Sequence, residues 1–208
     1  MTICLVGSEM CIRDSIISAE LDIVAKRLED SGWVIEEPKA PNFIEAAKFQ
    51  ATLWLGEFRR TGGETITKEN DPDSNFIYSQ MSRRCPDTSL EKFMDSLQNR
   101  ARISREWNKF FDQYPIILCP ITGDIPFPDL KDLESEESFD LVFDSMLPQI
   151  APPYMGLPGL SFATSQTKEN IPLGVQFISR KFREDLLLNV AYDLENYYPK
   201  IEPVLPNF

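Results

Sequence analysis

Few side chains in this sequence stand where chemistry could begin. Ser165-Gln166-Thr167-Lys168 has the S-x-x-K spacing in which a lysine one helical turn away can activate a serine. That mechanism needs a helix, and this polar stretch lies between two strand-like runs, so it reads as a turn and a catalytic Ser165 is not expected. Cys119 ends an apolar run with no base suited to make it a thiolate, so it reads as a buried structural thiol. Asp71-Pro72-Asp73-Ser74-Asn75 opens like a calcium loop, with carboxylates at alternate positions. The loop's turn glycine is replaced by Phe76 and its bidentate glutamate by Ser82, which leaves an Asx-rich turn. The acids Asp129, Asp132, Glu134, Glu136, Glu137, Asp140 and Asp144 face one Lys131 and read as a solvated loop or exposed helix face rather than a cation site.

What is missing is as informative. The 208 residues contain no histidine, which removes Ser-His-Asp and Cys-His nucleophile pairs, His-ligated zinc, axial haem ligation and imidazole bases. Twenty-one Lys and Arg against 33 Asp and Glu leave a net charge of −12 with no basic block, so neither nucleic acid nor an anionic membrane is an expected partner. No phosphate-binding glycine motif occurs; Gly62-Gly63 reads as a helix stop. Cys4, Cys11, Cys85 and Cys119 lack metal-ligand spacing and read as reduced thiols. No apolar run approaches the ~20 residues of a membrane span, and no signal peptide is evident. The expectation is a cytoplasmic protein.

The elements that must position any site follow from periodicity. Ile17, Leu21, Val24 and Leu28 form one helical face ending at Gly32, and Trp33–Ile35 is a short strand stopped by Pro38. Asn42 with Glu45 opens a second helix that runs through Leu55 and Phe58 to Thr61. The polar segment 68–86 reads as loop or short irregular helix. Thr88 with Glu91 starts a long helix ending near Tyr114. Pro115–Pro120 is apolar on consecutive residues, as in a strand covered on both faces. Past a proline-rich segment, 148–158, come strand-like runs at 160–164 and 172–179, then a helix opened by Glu184 and Asp185. Composition is that of a globular chain, 42% apolar and 26% charged, and one domain is the natural prior. The alternation predicts an α/β fold, a mixed and largely buried sheet flanked by helices.

The C-terminal third carries the most specific pattern: Met155-Gly156-Leu157-Pro158-Gly159-Leu160-Ser161, then Ile171-Pro172-Leu173-Gly174-Val175-Gln176-Phe177-Ile178, then Arg183-Glu184-Asp185-Leu186-Leu187-Leu188. This order resembles the end of the amidase signature family, and 16–37 and 114–120 are similar to earlier parts of it. Two departures stand out: Cys119-Pro120-Ile121 replaces a proline flanked by hydroxyl residues, and Phe162-Ala163-Thr164 lacks the usual second proline and glycine. The resemblance implies carboxamide hydrolysis by a serine, a second serine on a cis peptide and a relay lysine, all held in a Gly/Ser-rich segment, with no cofactor and no metal. That segment is not in this sequence, so no catalytic residue is carried over.

What the resemblance leaves for this chain is a pocket border at Pro120 and Thr122, after the apolar strand, and at Tyr154, Met155 and Gly156; both places could equally be plain crossovers. The expected organisation is a C-terminal amidase part over 16–208. Residues 1–15 fit no part of the family, resemble translated sequencing-adapter read-through, and are expected to be dispensable or disordered. The implied partner is a small-molecule amide in a longer parent, a homodimer being open. The competing reading is a non-catalytic binding or structural domain with the same fold.

Overall fold

The computed structural model describes residues 1–5, 14–87 and 89–198. In chain order these form β1 (Thr2–Leu5), α1 (Ser15–Asp30), β2 (Val34–Glu36), α2 (Phe43–Thr61), α3 (Gly63–Glu69), α4 (Pro72–Arg84) and α5 (Leu90–Phe111). There follow β3 (Ile116–Pro120), α6 (Glu136–Ser145), α7 (Leu147–Met155), β4 (Gly159–Gln166), β5 (Pro172–Ser179) and α8 (Glu184–Glu195). Among the described residues the strands make one five-stranded sheet, ordered β2-β1-β3-β5-β4. The β2-β1-β3 half is parallel and the β3-β5-β4 half antiparallel, which is the expected mixed α/β sheet.

The side-chain alternation of β3 divides the core. Ile116 and Leu118 point to one face, where with Ile3, Leu5, Val175 and Phe177 they meet Leu21, Val24 and Leu28 of α1 and Leu187, Val190 and Leu194 of α8. Ile117 and Cys119 point to the other, where with Cys4 and Ile178 they meet α2, α5 and α7 through Ala46, Ala47, Ile103, Trp107, Ala151 and Tyr154. All five residues of β3 are buried, as the proline-fenced apolar run predicts.

Four sequence expectations need correction. Thr2–Leu5 is not dispensable-looking chain: it is a strand hydrogen-bonded on both sides, with Ile3 opposite both Ile35 and Ile116. Its residues alternate between the two core faces, a fit independent of any family pattern. Asp14 also belongs to the fold, accepting the Ile16 N–H at 2.7 Å to cap α1; residues 6–13 lie outside the described residues. The segment 68–86 is largely the helix α4, because Asp71 accepts the Ser74 N–H at 2.8 Å and Pro72 occupies its first turn. The residues that open like a calcium loop are that helix's start signal. For α5 the cap is Ser89, which accepts the Lys92 N–H, whereas Thr88 is outside the described residues.

The proline-rich stretch also winds into helix, α7, despite Pro152 and Pro153 inside it. Pro152 has no N–H for the carbonyl of Pro148, and that carbonyl accepts from Gln176 Nε2 on β5 at 3.4 Å instead. The helix ends on Gly156 at φ +65°, where the N–H groups of Gly156 and Leu157 close on Pro153 and Pro152.

Candidate functional site

The residues predicted to border a pocket lie in two corners. Pro120 closes β3 opposite Val175 and is buried. Thr122 is half-buried and donates its hydroxyl to the Asp124 carbonyl at 2.8 Å, inside a loop held by the Gly123 N–H on the Ser145 carbonyl. At the other corner Tyr154 and Met155 have no exposed surface and belong to the apolar cluster that contains Cys119. Tyr154 stacks on Phe49 with ring centres 5.7 Å apart and donates its hydroxyl to the Ser96 carbonyl; burial pushes the phenol up to about 12. Gly156 is exposed beside Lys181. Of the five, Gly156 and Thr122 reach the surface, and the other three are buried.

The side chains with candidate chemistry are held in structural roles. Ser165 lies in β4, not on a helix, and donates to Glu20 Oε2 at 3.0 Å. Cys119 is fully enclosed, and desolvation pushes its thiol up to about 12, against which Gln176 Nε2 at 3.5 Å acts only weakly. Part of the acidic run is an ion-pair cluster: Arg83 and Arg84 on α4 reach Asp140 at 2.5 and 2.8 Å, and Arg84 also reaches Asp144. Among the described residues no group of acids and cysteines could hold a metal ion.

A larger concavity is signalled by no motif. It is a cleft of about 930 Å³ between α2 and α5, lined by Gln50, Leu53, Trp54 and Glu57 on one side and Leu90, Phe93, Leu97 and Arg100 on the other. The spacing i, i+3, i+4, i+7 on α2 and i, i+3, i+7, i+10 on α5 puts each set on one helical face. The helices run antiparallel, since Phe43 meets Trp107, Glu45 pairs with Arg102 at 2.5 Å and Arg59 donates to the Cys85 carbonyl. Gly56 lets them approach: a Cβ there would stand 3.2 Å from the Phe93 ring. Gln50 is buried, yet its carboxamide oxygen has no hydrogen-bond partner among the described residues. A periodicity reading assigns Gln50 to the core face of α2 and so hides it as a lone polar residue.

The family model for amidases matches residues 7–188. The chain belongs to the amidase family. Its relatives include an indoleacetamide hydrolase of Bradyrhizobium diazoefficiens, 26% identical over 184 residues, covering 88% of this chain and 35% of that protein. Another is a glutamyl-tRNA(Gln) amidotransferase subunit of Desulforapulum autotrophicum, 32% identical over 108 residues, 52% of this chain and 21% of that one. Among solved structures, 6-aminohexanoate cyclic dimer hydrolase superposes with a TM-score of 0.75 at 16% identity, over 96% of this amidase-family chain and 45% of its own. The corresponding glutamyl-tRNA(Gln) amidotransferase subunit of Thermotoga maritima superposes with a TM-score of 0.68 at 22% identity, over 97% and 43%. These structural likenesses show the amidase fold. The chain spans less than half the length of each of these relatives.

Proposed function

We propose that this chain is the C-terminal part of an amidase that hydrolyses carboxamide C–N bonds by the Ser/cis-Ser/Lys mechanism, with that triad supplied by sequence outside these 208 residues. The observation that carries the reading is a mismatch of lengths. The amidase model accounts for 7–188, yet the chain matches only 35% of the indoleacetamide hydrolase and contains no Gly/Ser-rich segment. In the parent reaction a serine would attack the amide carbonyl, the cis serine and lysine would move the proton to the departing amine, and water would release the acid. The contribution of this chain is then a wall for a small-molecule amide. Thr122 and Gly156 reach its surface, and Pro120, Tyr154 and Met155 hold it from behind. Cys85 and Cys119 are free thiols, which supports a reduced, cytoplasmic setting, and no helix among the described residues is long and apolar enough to cross a membrane.

The test has two arms. The purified chain given indole-3-acetamide should release no ammonia above background, since loss of a nucleophile alone lowers turnover by about a million-fold. Ammonia release that disappears in Ser165→Ala would overturn the reading and restore the S-x-x-K serine. Sequencing the nucleic acid upstream of Met1 should reveal an in-frame lysine and Gly/Ser-rich segment; a genuine promoter and start codon there would favour a non-catalytic binding domain.

A further inference from the structure

The cleft between α2 and α5 combines three features that a solvated groove between two helices does not require. Its floor holds Gln50, nineteen-twentieths buried, with an acceptor oxygen that meets no donor among the described residues. An orphaned buried acceptor is destabilising unless something supplies the missing N–H or O–H. Its wall holds Arg100, an exposed residue that makes no ion pair among the described residues and lies over the Tyr154 ring, 5.4 Å from its centre. By contrast Arg83, Arg84, Arg102, Arg180 and Arg183 sit on carboxylates. Between the two polar groups and the far end run Leu53, Trp54, Phe93 and Leu97, with Trp54 47% exposed.

The register of the helices orders these features. Glu45 opposite Arg102 and Gly56 opposite Phe93 set Gln50 level with the Leu97–Arg100 turn. An unmet acceptor and an unpaired guanidinium therefore share one end of the cleft. At the other end Arg59 and Arg60 are offset by Glu57 and Asp87, whereas no acid among the described residues lines the cleft beside Arg100, so a carboxylate is favoured there. The complement is a molecule with an N–H next to a carboxylate and an apolar body on the other side of the N–H. The volume suits it, since about 930 Å³ lies within the ~300–1,000 Å³ of small-molecule sites.

We propose that the α2–α5 cleft binds N-acyl-α-amino acids, the amide N–H donating to Gln50, the carboxylate held by Arg100 and the acyl or aryl group lying along Leu53, Trp54, Phe93 and Leu97. The inference does not depend on the chain being part of a hydrolase, because its readout is binding.

The probe is N-benzoylglycine, a small molecule carrying all three groups, titrated calorimetrically into the 208-residue chain. Saturable one-to-one binding is expected, weakened about tenfold or more when the carboxylate is a methyl ester or the N–H is methylated. Arg100→Ala should weaken N-benzoylglycine by the same factor and leave the ester unaffected. Gln50→Leu fills a similar volume, removes the orphan and should erase the preference for N–H over N-methyl. No heat at about 5 mM probe, equal affinity for all three compounds, or unchanged binding in Arg100→Ala would overturn the assignment. Should Gln50→Leu fail to fold, the three compounds on the unaltered chain decide the matter alone.

Discussion

Ile3→Ala tests whether the first strand belongs to the molecule. Ile3 has no exposed surface and lies between two hydrogen-bonded neighbours, Ile35 and Ile116, over Leu21, Val24 and Leu28 of α1. Truncation removes three carbons, about 2.4 kcal/mol of transfer free energy at ~0.8 kcal/mol per methylene. A cavity term adds to this, because two flanking ladders and a helix keep the site from collapsing, and the loss falls near 3–4 kcal/mol, inside the ~2–5 kcal/mol range for such changes. With a urea slope of about 2–3 kcal/mol/M for a chain of this size, the unfolding midpoint should drop by about 1–2 M at unchanged slope. The control is Val34→Ala, at a half-exposed position on the edge strand β2, which should move the midpoint by less than about 0.5 M. A midpoint for Ile3→Ala within error of the unaltered chain would refute the placement of Thr2–Leu5 between β2 and β3. It would restore the reading of the N-terminus as extraneous.

Other substitutions test the corners of the fold. Gln176→Leu leaves the Pro148 carbonyl without its donor and should lower stability by about 1–3 kcal/mol, seen as a fall in Tm, since the gap is set by Pro152 and no backbone group can fill it. Gly156→Ala forces a side chain into φ +65° with its Cβ 3.0 Å from the Lys181 stem, and should cost about 1 kcal/mol by urea titration. Hydrogen bonds from Arg84 first, and then Arg83, hold the Asp140 carboxyl below its ordinary value. Its stabilisation is complete above the usual carboxylate range and is lost as pH falls through the lowered value. Arg84→Ala should therefore flatten the loss of stability on acidification below about pH 4 and leave the slope near neutrality unchanged.

Legibility from sequence depends on whether a signal is local. The buried run Ile116–Cys119, the helix stop at Gly32 and the Asn42 cap each speak through adjacent residues, and the fold places them as their spacing implies. Asp71 is equally local but ambiguous in its chemistry, since a carboxylate before Pro-Asp-Ser serves a helix start as readily as a cation. The winding of 147–155 is hidden because its tolerance of Pro152 depends on Gln176, a residue on another strand. The α2–α5 cleft is hidden for the same reason: Gln50 and Arg100 are ordinary residues on separate helices, and only their antiparallel register makes them neighbours.

The order of strands carries a consequence for how the chain acquires its shape. The β4–β5 hairpin closes over a short turn, so its contacts form with little loss of chain entropy, and β3 then adds to β5 at moderate separation. Of the two neighbours of β1, β2 follows within about 30 residues, whereas β3 begins more than 100 residues later. By itself the β1–β2 pair is a two-strand parallel ribbon too small to persist. Holding β1 in the sheet therefore depends on β3, a pairing that closes a far longer stretch of chain than the β4–β5 hairpin does.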